Sequence, residues 1–189
     1  MVNTLDHLIV AVEDLEKAEQ NYTKIFGMPP VWKGEHKELG TANALFNFQN
    51  TYFELLAVKG EGLGAALVDY YLEQSGEGLI GVVLGTDDIS KTTTEIRDKG
   101  FAVADHTEGE GINFKDQQIR KWKNLFLPPE LTRGIFTFII QHTEEELAPF
   151  KTQYLSVLIK LDHLALNTPN AYSIIQIYTD IFTIKLTFK

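Results

Sequence analysis

The chain has 189 residues, of which 44% are hydrophobic and 23% are charged, a composition typical of soluble globular proteins. Its formal net charge of −9 argues against a nucleic-acid surface, and no basic cluster suits an anionic membrane. There is no cysteine, which excludes disulfides, thiolate metal ligands and a cysteine nucleophile. The sequence starts without a secretion signal and has no bilayer-spanning apolar run, so we expect a cytoplasmic protein.

Residues 1–58 contain the pattern of one small module. The apolar run from Leu5 to Val12 predicts a buried strand, and Asp14 then favours the start of a helix over 15–26. Gly27 and the prolines that follow it end this helix. Three further strands are predicted around 31–33, 41–48 and 51–58. The order is strand, helix, strand, strand, strand.

Residues 78–142 repeat this order. An apolar strand is predicted over 79–84 and a helix over 88–99, which Gly100 closes. Strands near 101–105, 120–126 and 134–141 complete the second module. Residues 59–77 form the connector between the two modules.

A third, partial module is predicted at the end of the chain. The tetrapeptide Leu5-Asp6-His7-Leu8 returns as Leu161-Asp162-His163-Leu164. After a linker over 143–158, residues 159–189 should form a strand, a helix over 171–182 and a last strand over 183–188. Such an unfinished sheet exposes an edge, and free edges pair with other strands, so we expect a homodimer.

The duplicated βαβββ order resembles the vicinal oxygen chelate superfamily, and in particular its glyoxalase-like branch. The stretches that carry the resemblance are 5–15, 36–45 and 52–56, and the strand around Arg120-Lys121-Trp122 also fits that branch. The resemblance covers residues 1–142. It implies an α+β fold of the glyoxalase, bleomycin-resistance and dioxygenase type, with two paired modules that enclose a cup, plus the partial third module.

The resemblance also implies a metal site. The family holds a divalent ion with a first-strand histidine and a last-strand glutamate from each module; His7 and Glu54 stand there in the first module. This pair suits Zn, Ni, Mn or Fe, and the charge of Glu54 in an apolar strand is expensive without a partner. In the second module Gly81 replaces the histidine, and Thr137 or Gln141, depending on register, replaces the carboxylate. Two protein ligands are fewer than the three of a catalytic zinc site.

Further side chains are assigned to the cup. We expect His36, Asn43, Arg120 and Trp122 to contact the substrate, and strand-face aromatic residues to favour an apolar or aromatic ligand. His163, whose module offers no glutamate, is expected to be a half-buried histidine. The glycine-rich stretches 60–64 and 109–111 lack the lysine and serine or threonine of a phosphate loop and are interpreted as flexible connectors.

Three functional hypotheses follow. The first is a metal-dependent lyase, isomerase or dioxygenase, in which Glu54 is both ligand and base and the metal polarises two substrate oxygens. The second is a metal-free protein that sequesters a small molecule in the same cup, with His7 and Glu54 left as a buried ionic hydrogen bond. The third is dimerisation through 159–189, which is compatible with either.

Overall fold

The computed structural model describes residues 2–144, 147, 160–167 and 170–182. No helix within these ranges is both long and apolar enough to cross a membrane. The first part of the chain contains, in order, β1 (Thr4–Ala11), α1 (Leu15–Phe26), β2 (Trp32–His36), β3 (Thr41–Asn47), β4 (Tyr52–Val58) and α2 (Leu63–Ser75).

The second part repeats the strand–helix–three-strand order. Its elements are β5 (Gly78–Gly85), α3 (Ile89–Asp98), β6 (Thr107–Asn113), β7 (Ile119–Phe126), α4 (Pro129–Thr132) and β8 (Phe136–Glu144), followed by α5 (Ala171–Phe182). The α+β class expected from the sequence is confirmed. The first strand after the α3 helix starts later than predicted, because residues 101–106 contain no strand.

The same device starts the first helix of each half. The side chain of Asp14 accepts a hydrogen bond from the Lys17 amide at 3.0 Å, and that of Asp88 accepts one from the Lys91 amide at 2.9 Å. Each carboxylate thereby satisfies an amide that has no partner inside its helix. Gly27 ends α1 with a left-handed φ of 72°, a conformation that glycine adopts without steric cost.

The eight strands close into one barrel in the order β1-β4-β3-β2-β6-β7-β8-β5, with β5 next to β1. Within each half, the first strand runs parallel to the last, as β1 does to β4 and β5 to β8. The halves join antiparallel at β1–β5 and at β2–β6. The barrel interior is therefore lined by strands from both halves.

Helices α1 and α3 cover the outside of the two halves. A cluster around Phe26 and Phe46 fills the space between α1 and the first half-sheet. A second cluster around Ile89 and Leu125 packs α3 on the other half-sheet, and Phe182 of α5 joins it. Because both outer faces are apolar, the inward faces are the ones that can carry polar side chains.

Helix α2 packs one face against the barrel strands, and its opposite face is exposed to solvent. Its Val68 is fully buried and packs against the inward-facing side chains Ile9, Leu56 and Phe138. These residues come from β1, β4 and β8, so α2 contacts strands of both halves. The helical part of the connector between the halves is thus packed against both of them.

The predicted third module differs from the structure at its first strand. Residues 160–167 contain no strand, although α5 forms over the predicted residues. The closed barrel offers this segment no strand edge with which to pair. Instead, the Asn50 side chain accepts a hydrogen bond from the Leu161 amide at 3.0 Å and donates one to the Leu161 carbonyl at 2.8 Å. The last predicted strand, over 183–188, lies outside the described residues. The homodimer, which was inferred from an open edge, stays a prediction.

The seam between β2 and β6 requires a glycine at position 34. Strand β2 pairs with β6 at two positions, Gly34 with Asn113 and Glu35 with Ile112. A Cβ added at Gly34 would lie 2.5 Å from the Ile112 carbonyl oxygen and 2.6 Å from Trp32 Nε1. A side chain there would push the two halves apart.

We therefore expect Gly34→Ala to lower the free energy of unfolding by about 1 to 3 kcal/mol, through overpacking at the seam. The matched control is Gly78→Ala, in another strand, where an added Cβ meets nothing within 4 Å. That control should change stability by less than about 1 kcal/mol. Urea unfolding of the three proteins measures both values, and equal stability of the two variants would contradict the seam argument.

Candidate functional site

A cavity of about 340 Å³ lies inside the barrel. The first half contributes most of its polar lining, and the second half contributes its aromatic wall. Its lining residues with polar side chains are His7, His36, Thr41, Asn43, Tyr52, Glu54, Arg120, Asn124 and His142.

His7 lies at the centre of a buried ionic network. Its Nδ1 is 2.7 Å from Asp6 Oδ1, and its Nε2 is 3.3 Å from Glu54 Oε2. Burial lowers the pKa of His7, but the hydrogen bonds and charges of the two carboxylates outweigh burial and raise that pKa above 6.5. Each ring nitrogen thus faces a carboxylate oxygen, and this arrangement favours the protonated imidazolium.

Asp6 connects this network to the other half of the barrel. Besides His7, its carboxylate contacts His142 Nε2 on β8 at 3.1 Å. Burial raises the pKa of Asp6, but hydrogen bonds from His142 and His7 hold it well below its usual range. Tyr52 stacks on the His7 ring with centroids 4.3 Å apart, and burial raises the pKa of its phenol well above 10. One carboxylate thus holds groups from β1, β4 and β8.

Asn43 continues the network to β2. Its Nδ2 donates to Glu54 Oε1 at 2.7 Å and lies 3.2 Å from His36 Nε2. His36 Nδ1 lies 2.9 Å from the Thr41 hydroxyl. Burial, and to a smaller degree Arg120 and His7, lower the pKa of His36, whereas Glu54 opposes them. His36 is therefore a neutral imidazole that accepts from Asn43 at Nε2 and donates from Nδ1 to Thr41.

Glu54 is ionised in this arrangement. Burial raises its pKa, but the hydrogen bond and charge of His7 and the hydrogen bond from Asn43 stabilise the carboxylate and lower the pKa below 4.5. Each of its oxygens faces a partner, Oε1 towards Asn43 and Oε2 towards His7. A carboxylate held in this way is a weak base at neutral pH, because an efficient base needs a pKa near the working pH.

Arg120 and Trp122 reach the cavity from β7. Arg120 is buried, with its guanidinium carbon 5.4 Å from the Trp32 ring and 6.0 Å from the Tyr52 ring. Trp122 meets His36 edge to face, with ring centroids 5.5 Å apart. Gly109 on β6 pairs with Trp122 on β7, and a Cβ added at Gly109 would lie 2.5 Å from the indole nitrogen of Trp122. The stretch 109–111, expected to be a flexible connector, is instead the strand over which Trp122 lies.

An aromatic wall replaces a second pair of polar residues. Gly81 lies seven residues before the Asp88 cap, as His7 lies before the Asp14 cap, and it pairs with Phe136. His7 pairs with Tyr52, two residues before Glu54, and Gly81 pairs with Phe136, two residues before Phe138. Glu54 and Phe138 therefore occupy equivalent positions in the two halves. The rings of Phe126, Phe136 and Phe138 have centroids 5.2 to 6.3 Å apart.

The expectation that Thr137 or Gln141 occupies the position equivalent to Glu54 was therefore wrong, because the observed strand register places Phe138 there. Thr137 faces out of the barrel, where its hydroxyl donates to the Ile135 carbonyl at 3.1 Å. Gln141 accepts from the Ile89 amide at 3.0 Å and donates to the Asp87 carbonyl, next to the start of α3. Neither residue lines the cavity, and the position belongs to Phe138.

The donor set does not fit a conventional metal centre. His7 and Glu54 supply two protein ligands where catalytic zinc sites use three. His7 Nε2 and Glu54 Oε2 face each other at 3.3 Å, and the equivalent positions of the second half, Gly81 and Phe138, add no donor. Among the described residues, no group of three or more histidine, aspartate and glutamate side chains is placed to hold an ion.

All six residues that sequence analysis assigned to the site line this one cavity: His7, His36, Asn43, Glu54, Arg120 and Trp122. Four further residues of the site were not predicted: Asp6, Tyr52, Asn124 and His142. The Asp-His pair that both copies of the tetrapeptide share was the sequence signal for Asp6. In the second copy the histidine, His163, likewise bonds the preceding aspartate, Asp162, at 2.9 Å. His163 itself is exposed, not half-buried as expected, with 77% of its side chain accessible to solvent.

Comparisons with known proteins agree on one fold. A family model described as a glyoxalase-like domain matches residues 5–182. No curated protein sequence matches significantly. Among solved structures, Streptomyces coelicolor methylmalonyl-CoA epimerase in complex with 2-nitronate-propionyl-CoA has a TM-score of 0.59 at 22% identity, covering 76% of this chain and 100% of its own.

Two further solved structures are similar. Methylmalonyl-CoA epimerase from Mycobacterium tuberculosis has a TM-score of 0.60 at 20% identity, with 76% of this chain and 90% of that chain covered. A hypothetical protein from Staphylococcus aureus has a TM-score of 0.61 at 21% identity, with 74% and 59% covered. At these identities the likeness shows the fold.

The buried imidazolium predicts a pH dependence of stability. Because the pKa of His7 is raised above 6.5 on folding, its stabilisation is fully present below that pH and is lost as the pH rises through the raised pKa. The difference in free energy of unfolding between the wild type and His7→Gln should therefore shrink as the pH rises above 6.5. Urea unfolding at a series of pH values on both sides of 6.5 measures it.

His163→Gln is the control, because this exposed histidine should change stability by less than about 0.5 kcal/mol. A difference between wild type and His7→Gln that grows with pH would show that His7 is neutral in the folded protein.

Proposed function

The chain belongs to the glyoxalase-like domain family of the vicinal oxygen chelate superfamily, and we propose that it binds a small, mainly apolar molecule in the barrel cavity without a metal ion. The cavity volume of about 340 Å³ is within the range of small-molecule sites. The proposal assigns the protein the metal-free, sequestering role among the functions that this fold supports.

The single observation that carries the proposal is the aromatic wall. Gly81 and Phe138 stand where a second histidine and glutamate would be needed, and Phe136 crowds Gly81 so closely that an added Cβ would lie 3.0 Å from its ring. A histidine at position 81 would therefore displace Phe136. This half of the cavity favours the flat face of an apolar ligand, because aromatic rings pack well in offset or edge-to-face contacts.

The opposite wall gives the bound molecule one orientation. His7, Asn43 and Glu54 are fixed by one another, so their positions do not depend on a ligand. A polar wall that is already ordered loses little entropy on binding. In this proposal the ionic network shapes and orients the site, while the aromatic wall supplies most of the contact area.

Blocking the cavity tests this proposal. Leu67 on α2 lines the cavity, whereas its neighbour Ala66 is exposed and does not. We expect the protein, dialysed against EDTA, to bind naphthalene in equilibrium dialysis and Leu67→Trp to lose at least about 90% of that binding, because the indole fills the space.

Ala66→Trp is the matched control, since it adds the same side chain one residue away on the exposed face of α2. It should retain wild-type binding. Equal binding by the two tryptophan variants would place the naphthalene outside the cavity and overturn the proposal.

A second candidate function is a metal-dependent lyase, isomerase or dioxygenase. His7 Nε2 and Glu54 Oε2 face each other at 3.3 Å, on the strand positions that the superfamily uses for ligands, and this pairing favours the candidate. A divalent ion there would polarise substrate oxygens. The chain would need a further ligand from outside its own donor set, such as the substrate.

Elemental analysis separates the two candidates. For the metal-free proposal, protein purified without a histidine tag and soaked in zinc, nickel, manganese or iron(II) should hold less than about 0.1 equivalent of metal after dialysis, because two ligands bind weakly. About one equivalent of metal that disappears in His7→Ala would favour the enzyme. Loss of naphthalene binding together with that metal would overturn the proposal of metal-free binding.

A further inference from the structure

The part of the cavity lining that a bound molecule can reach is largely aromatic. His7, Asn43 and Glu54 are 3 to 6% exposed, so they offer a ligand little surface. By contrast, Trp122 on β7 and Phe136 on β8 line the same cavity and are only half-buried. Rings from these two strands therefore supply much of the surface available for contact.

Trp122 is placed by a neighbouring strand that has no side chains beneath it. On β6, Gly109 pairs with Trp122 and Gly111 pairs with Arg120. Residues directly opposite one another on antiparallel strands lie on the same face of the sheet. Because Trp122 and Arg120 line the cavity, both glycines lie on the inner face of β6, and the indole occupies the space above them.

The indole and the two glycines fit closely. A Cβ added at Gly109 would lie 2.5 Å from Nε1 of Trp122, in the five-membered ring, and one added at Gly111 would lie 3.2 Å from Cη2, in the six-membered ring. His36 meets the same indole edge to face, with the ring planes 79° apart. These contacts hold the indole in one orientation without the help of a ligand.

We infer that the cavity selects planar aromatic molecules over saturated ones, that Trp122 is the ring against which such a ligand packs, and that Gly109 and Gly111 are positioning residues for Trp122. An aromatic pair strengthens binding about two- to tenfold beyond the effect of the area it buries. The inference rests on the proposed binding of a small molecule in the cavity, and it adds the class of ligand and the side chain that recognises it.

Two probes with ten carbon atoms and no polar group test the ligand class. Naphthalene is planar and aromatic, whereas decahydronaphthalene has the same two fused rings in puckered, saturated form. Transfer from water alone favours the saturated compound, which has more apolar surface. We nevertheless expect the wild-type protein to bind naphthalene at least about threefold more tightly than decahydronaphthalene. Equilibrium dialysis with gas chromatography measures both dissociation constants.

Trp122→Leu keeps an apolar side chain and removes the ring. It should reduce the ratio of the two affinities about threefold, because one aromatic pair is lost only for naphthalene. The matched control is Trp32→Leu, which removes the other tryptophan of the sequence, a buried residue that does not line the cavity. This control should leave the ratio unchanged.

A double-mutant comparison tests the positioning role. Gly109→Ala should weaken naphthalene binding at least about tenfold, because the added methyl group displaces the indole from β6 into the cavity. The same substitution made together with Trp122→Leu should weaken binding less than about twofold relative to Trp122→Leu alone, because leucine leaves room for the methyl group. General destabilisation would not depend on residue 122 in this way.

The outcomes distinguish this inference from the proposed function. If the wild type binds decahydronaphthalene as tightly as naphthalene, or if Trp122→Leu and Trp32→Leu give the same ratio, selection of planar ligands through Trp122 is wrong while cavity binding stands. Equal weakening by Gly109→Ala with and without Trp122 would overturn the positioning role. If neither probe binds the wild type, the proposed function fails and the inference fails with it. The comparison of probes uses the wild type and stays decisive if Gly109→Ala does not fold.

Discussion

Closure of the eight-stranded sheet is the constraint on which the cavity and its chemistry depend. Each half contributes four strands, and a four-stranded sheet does not enclose a volume without a partner. Joining the halves at β1–β5 and β2–β6 brings their inward faces around one interior. Any difference between the two halves then becomes a difference between opposite walls of the same cavity.

The halves differ at equivalent positions. In the first half, His7 and Glu54 are polar, and the compensation for their burial comes mainly from the same half, through Asp6 and Asn43. Because those charges are largely satisfied without the second half, the second half is free to carry Gly81 and Phe138. Equivalent positions of the two halves therefore share the same strand pairing and differ in polarity.

Much of the fold could be predicted from local patterns. Both aspartate-capped helices, the order of strands and the inward position of Glu54 follow from hydrophobic periodicity and capping residues. The membership of the glyoxalase-like family, expected from short stretches of sequence, is confirmed by a match over 5–182. These features depend on interactions between residues that are close in sequence.

The remainder depended on interactions that no local pattern encodes. Whether Thr137, Phe138 or Gln141 faces the cavity is decided by the pairing of β5 with β8, where a shift of one residue exchanges the two faces. The contact of His142 with Asp6 joins residues that are 136 positions apart. The strand expected within 160–167 had the right composition, but a closed barrel left it no edge with which to pair.

The repeated tetrapeptide has a consequence for how short identities are interpreted. In both copies the aspartate bonds the adjacent histidine, at 2.7 Å for Asp6 and His7 and at 2.9 Å for Asp162 and His163. The first pair is buried beside the cavity, and the second is exposed to solvent. Four identical residues thus transmit a local geometry and carry no information about burial. A search based on this motif alone would score a cavity residue and a surface residue as equals.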